Sequence, residues 1–291
     1  MRTCTDLPRN SGRAGRAAAP PRLFARLAAV LLAVSLLATP FASGDALAGR
    51  PCTERRLTTD EFVRSLELAA HTAEALDRSG ARAAVVARAG QDLREWRLRY
   101  SHLALAYRDG QTADGRGIWR VVHKLNHCGS DRASVFRHGL AEFFGEELHD
   151  YEAAIVPFET VSGAVLANRL RDNFVVADLH EPRYNMLAYP WATRYQQSNQ
   201  WAIETLAHVL EPAATDRDRA QAWLRLRGYR PTTLRIDPLR RLGARVGSAN
   251  IAFDDHPNAR RFTDRIDTVT ADSVLEWLTA SGLGRERITV R

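Results

Sequence analysis

The residues best able to do chemistry are two histidines on paired strands and one serine at the start of a helix. His102 sits in Tyr100-Ser101-His102-Leu103-Ala104-Leu105-Ala106-Tyr107-Arg108, a stretch that reads as a half-buried strand. Side chains alternate across a strand, so Tyr100, His102, Ala104 and Ala106 share one face. Leu103, Leu105 and Tyr107 line the other, which looks like ordinary core. A second strand, Ile118 to His123, follows a Gly- and Asp-rich connection and is expected to close a hairpin. If Tyr107 faces Ile118, His102 faces His123. A one-residue slip would send the two rings to opposite faces. Two facing imidazoles over a floor of alanines would form a site. The plainer alternative is one hydrogen-bonded histidine and one on the surface.

Ser198 follows Gln196-Gln197 and precedes an apolar helix running to about Leu210. Serine and asparagine are common helix caps, so Ser198 or Asn199 has a structural role open to it as well. Just upstream lie Tyr184, Tyr189, Trp191 and Tyr195. Packing explains them, and so does lining a pocket with Tyr100, since aromatic side chains wall most ligand sites. Asp254-Asp255-His256 has metal-binding side chains, but a turn closed by Pro257 accounts for it equally. No metal or cofactor is expected. His71, His138, His149, His180 and His208 show no partner pattern and read as surface or structural.

The elements that must position these groups follow from spacing. Thr58 and Glu61 form a capping-box pattern before a helix that stops near Gly80. Ala84 to Ala87 reads as a strand, Ala133 to Phe144 as a helix and Tyr151 to Phe158 as a strand. Thr160 opens another helix. Helices are also expected over Asp216–Gly228, Pro238–Ala244 and Asp272–Leu278, with a strand at Ile266–Val269. The fold class is α+β, with a small antiparallel sheet packed against helices. One domain spans 49–291, with a core of about 81–210 and a C-terminal addition at 211–291.

The chain has 291 residues and a formal charge of +7. Arg2, Arg9, Arg13, Arg16, Arg22 and Arg26 precede the apolar run Leu27 to Ala38, and Ala46-Leu47-Ala48 offers a cleavage site. This is the pattern of a secretory signal, which places the mature protein, starting at Gly49, in the periplasm or outside the cell. Cleavage removes six arginines and two aspartates and leaves a formal +3, so most of the basic excess belongs to the leader. No basic stripe with interleaved aromatics remains, and nucleic acid is not an expected partner. No later stretch is long enough to span a bilayer. Cys52 and Cys128 are the mature cysteines, and in an oxidising compartment a disulfide between them is expected. The rival is a reactive Cys128 thiol beside His123 and His127.

There is no G-x-S-x-G, H-E-x-x-H, P-loop or G-x-G-x-x-G motif. The Ser-His strand followed by small and apolar residues resembles the permuted papain-like superfamily, which includes NlpC-type cell-wall peptidases and lecithin:retinol acyltransferases. The resemblance implies a histidine strand first, a polar residue on the next strand, and a nucleophile at a helix N-terminus packed on that sheet. His102, His123 and Ser198 match those positions as base, orienter and nucleophile. Ser198 stands where the superfamily has cysteine, and a helix dipole does not ionise a hydroxyl at neutral pH. The chain also resembles a family of secreted bacterial proteins (domain of unknown function 2145) at Tyr100-Ser101-His102, Val122 to Asn126, Tyr195 to Trp201 and Phe253 to Pro257. Two functions are therefore expected to compete. One is an envelope hydrolase or acyltransferase acting on an amide or ester. The other is an inactive binding module that holds a peptide, glycan or acyl ligand.

Overall fold

The alternating stretches singled out above become the middle of a six-stranded antiparallel sheet. The structure is a computed structural model and describes residues 56–291. The expected leader and Cys52 lie outside those residues. The sheet contains β1 (Ala83–Ala89), β2 (His102–Gln111), β3 (Gly117–Asn126), β4 (Ala133–Gly139), β5 (Asp150–Pro157) and β8 (Ile288–Val290). Their spatial order is β4-β3-β2-β1-β5-β8. A two-stranded ribbon pairs β6 (Thr232–Arg235) with β7 (Arg265–Thr268).

Helices cover both faces of the large sheet, because both faces of its central strands are apolar. Leu103, Leu105 and Tyr107 pack with Trp201, Ile203 and Leu206 of α5 (Ser198–Leu210). The same layer takes Leu166 of α3 (Thr160–Arg169) and Val274, Leu275 and Leu278 of α9 (Ala271–Ala280). On the opposite face, Ala104, Ala106 and Val121 meet Leu68 and Leu76 of α1 (Thr59–Arg78) and Phe143 of the short α2 (Leu140–Phe144). The helices that share a core layer with these alanines are α1 and α2. The start of α1 is the expected capping box: Glu61 N–H donates to Thr58 Oγ1 at 3.2 Å, and Thr58 N–H donates to Glu61 Oε2 at 2.8 Å. Three further helices are α4 (Asn173–Asp178), α6 (Arg217–Leu226) and α7 (Pro238–Gly247), with the single turn α8 at Asn258–Arg261.

Two expectations are corrected here. Ala133 to Gly139 is strand, and only Leu140–Phe144 is helical, because the stretch finds a ladder partner in β3 from Arg120↔Gly139 to Asn126↔Ala133. The expected C-terminal addition is not separate from the core, since β8 pairs with β5 (Ala153↔Val290 to Ile155↔Ile288) and completes the main sheet. The expected disulfide involves Cys52, which lies outside the described residues, and Cys128 is the one cysteine among them. No helix among the described residues is long and apolar enough to cross a membrane.

Candidate functional site: a row of three histidines

The hairpin register differs from the expected one by two residues. Tyr107 pairs with Arg120 and Leu105 with Val122, and a bulge between Arg108 and Gly110 shifts the pairing by one more residue towards the hairpin end. A shift of two preserves the face, so His102 and His123 still stand on the same side of the sheet, as diagonal neighbours. His102 Nε2 lies 2.9 Å from His123 Nδ1. The edge strand adds a third ring. His138 pairs its backbone with Val121, and its Nδ1 lies 3.0 Å from His123 Nε2. His138 went unrecognised as a partner because its segment was read as helix. The alternation Ser134, Phe136, His138 was the signal available.

Phe143 closes the row from above, with its ring 5.8 Å from His102 and 5.3 Å from His123. Arg88 on β1 is buried beside it, donating to the Phe143 carbonyl and pairing with Glu146 at 2.6 Å. Burial, with Arg88 and His138 as positive neighbours, pushes the His123 imidazole down to about 3, so it is neutral at physiological pH. A neutral ring has one N–H, so His123 donates to one neighbour and accepts from the other. The row therefore has a direction, and either direction satisfies both bonds. Such a row can pass a proton between the half-buried His102 and His138 through a ring that carries no charge at rest.

Ser198 is not brought to this row. It begins α5, which packs on the Leu103 face, while His102 projects from the Ala104 face beside Phe143. Ser198 is buried beside the Tyr184 phenol, whose ionisation burial opposes and the neighbouring Ser198 hydroxyl and backbone favour. Neither Ser198 nor Asn199 is the cap: the Gln197 side chain accepts from Asn199 N–H at 3.2 Å. Asn199 instead ties the helix to the strand, its Oδ1 accepting from Leu103 N–H at 3.1 Å.

The aromatic residues have different partners. Tyr100 is buried and donates to Glu152 at 2.9 Å. Tyr189 lies against His256, with ring centroids 5.1 Å apart. Trp191 packs on Tyr229 with Arg225 over its face at 4.4 Å, and Tyr195 lies under Arg194 at 5.2 Å. In the Asp254-Asp255-His256 turn both imidazole nitrogens are engaged, by Asp255 and by the Asp267 carbonyl, each at 3.0 Å. Asp255 also accepts from Tyr189 N–H, and Asp254 pairs with Arg194 at 3.0 Å. Among the described residues no group of three or more His, Cys, Asp or Glu side chains is arranged to hold a metal.

A second polar cluster lies beneath α5. Lys124 on β3 is fully buried and donates to the Glu181 carbonyl at 2.6 Å and to Gln196 Oε1 at 2.9 Å. Gln196 donates to Glu204 at 2.6 Å, and Glu204 accepts from Arg217 at 2.7 Å and Gln221 at 2.7 Å. Burial, then repulsion from Arg217, pushes Lys124 down to about 7. These partners are far apart in sequence and no spacing rule links them. Their effect is to fasten the aromatic segment against the sheet.

The fold and this row define an α+β protein whose antiparallel sheet carries aligned imidazoles on one face and a clamped helix on the other. Residues 75–278 match the family described as uncharacterized protein conserved in bacteria (DUF2145), and the chain belongs to it. No curated protein and no solved structure matches the chain.

Proposed function

We propose that the protein is an envelope module, periplasmic or secreted, that binds a ligand rather than cleaving one. The observation that carries this reading is the burial of Ser198 in the layer on the Leu103 side of the sheet, away from the side on which His102 meets Phe143. A serine nucleophile needs a base within hydrogen-bond reach. Here the base candidate is committed to a row of imidazoles instead. Phe136 and His138 on the edge strand, with ring centroids 5.5 Å apart, offer the row to a ligand. Imidazoles that give and take a proton suit a carboxylate-bearing peptide, glycan or acyl chain.

The second reading is a papain-like acyl-transfer enzyme with Ser198 as nucleophile, His102 as base and His123 as orienter. It is favoured by Asn199, which holds the start of α5 against the backbone of Leu103, one residue from His102. Exposure of the folded protein to a fluorophosphonate probe separates the two. We expect no Ser198 adduct, and we expect the imidazole NMR signals of His102 and His138 to shift when a short peptide with a free carboxylate is added. A Ser198 adduct that disappears in His102→Ala would establish the enzyme instead.

A further inference from the structure

The ribbon β6–β7 and the helix α7 beside it present a surface whose polarity is inverted. The inward side of α7 offers Ala244 and Arg241 to the small cluster of Ile251, Phe253 and Ile266, with the Arg241 guanidinium 4.5 Å from the Phe253 ring. The outward side offers leucines. Leu239 and Leu242, three residues apart and so on one face, are 81 % and 62 % exposed. Arg241 also donates to the Arg261 and Thr263 carbonyls, which brings the α8 turn alongside α7. That turn adds Phe262, 76 % exposed. Large apolar side chains clustered in water mark a contact surface.

Arginines outnumber carboxylates around them, although exposed Asp264 adjoins Arg265. Arg235 and Arg265 stand directly opposite each other across the ribbon, both exposed. Like charges in that position repel. Neither has a carboxylate partner among the described residues, and nor does exposed Arg245 on α7. Nearby Asp237 is used to cap α7, and Asp267 is paired with Arg260 at 2.9 Å. The arginines thus lack an anion that the rest of the chain does not supply.

We propose that this corner is a peripheral docking surface for a bilayer rich in anionic lipid. Leu239, Leu242 and Phe262 enter the headgroup–acyl boundary, and Arg235, Arg245 and Arg265 pair with lipid phosphates. Exposed leucine and phenylalanine flanked by arginine is the pattern of a helix lying in the interface plane. The charge complementarity selects lipid anions, and the apolar side chains give them a place that an acidic protein surface would not need.

Hydrogen–deuterium exchange of the full chain with vesicles reads the corner locally, independent of any other segment that binds lipid. With phosphatidylglycerol vesicles, exchange over 238–247 and 258–263 is expected to slow at least tenfold. Phosphatidylcholine vesicles should leave it unchanged, and 0.5 M salt should largely abolish the effect. L239S/L242S and R235Q/R265Q should each lose the protection with the rest of the exchange pattern intact. Unchanged exchange in these segments with anionic vesicles would overturn the proposal. So would equal protection by neutral vesicles. Protection that appears without lipid and grows with protein concentration would assign the surface to a second copy of the chain.

Discussion

Replacing Glu204 by alanine is expected to lower the free energy of unfolding by about 3–5 kcal/mol, the usual cost of breaking a buried ion pair from one side. Glu204 is fully buried and accepts four hydrogen bonds, two from Arg217 at 2.7 and 3.2 Å, one from Gln221 and one from Gln196. Its removal leaves Arg217 and Lys124 under α5 with their counter-charge gone. The attraction within the pair does not set the size of the effect. The desolvated cations left behind do. A domain is stable by only about 5–15 kcal/mol, so this loss brings it near the threshold of folding. Urea unfolding followed by circular dichroism measures it. A loss below about 1 kcal/mol, the range of exposed pairs, would mean that water reaches this cluster in the folded protein.

Acid lability is the second large effect, and His123 is expected to dominate it. In the unfolded chain its imidazole titrates near the ordinary 6.5, whereas in the folded protein burial holds it down to about 3. Between those values the unfolded chain binds one more proton than the folded one. Stability therefore falls as pH drops through that window, by about 1.4 kcal/mol per pH unit, and is unaffected by this group above it. From pH 6.5, where the unfolded imidazole is half protonated, to pH 4.5 the loss comes to about 2.3 kcal/mol. His180, pushed down to about 4 by burial, acts in the same direction and more weakly because it is half-buried. The measurement is the difference in unfolding free energy between pH 6.5 and 4.5 for the wild type and for His123→Phe. The variant should lose about 2–3 kcal/mol less over that interval. Parallel losses would show that the row is not what acid attacks.

How far the residues alone lead depends on the range of the interaction that decides each feature. β2 and β3 were readable because a period of two is a local property. The shared face of His102 and His123 survived a wrong register because the error was an even number. α5 was readable from its apolar spacing, and α1 from the Thr58–Glu61 box. Ala133 to Gly139 was misread because Ala133, Val135 and Phe136 are compatible with helix or strand, and the ladder to β3 decides between them. That misreading hid His138. Nothing local says which helix lies over the small face of β2, and it is α1, not α5, that shares its core layer. For the same reason the Ser198 hydroxyl was expected near His102 and is found buried beside Tyr184. Lys124 reads as an ordinary polar strand residue until Gln196 and Glu204, more than seventy positions away, are seen around it.

The strand order also sets how the molecule assembles. In β4-β3-β2-β1 every pairing joins neighbours in the chain, while β5 returns to β1 over a longer excursion and β8 reaches β5 from the far end of the sequence. Closing a loop costs entropy before its contacts repay it, so the nearest-neighbour meander is the part that can form early. The three histidines lie wholly within that meander. The cluster under α5 needs Lys124, Gln196, Glu204 and Arg217 together and must wait for the later layer. The imidazole row is thus aligned while the opposite face of the sheet is still bare, and the Lys124–Gln196–Glu204 cluster closes on a site already built.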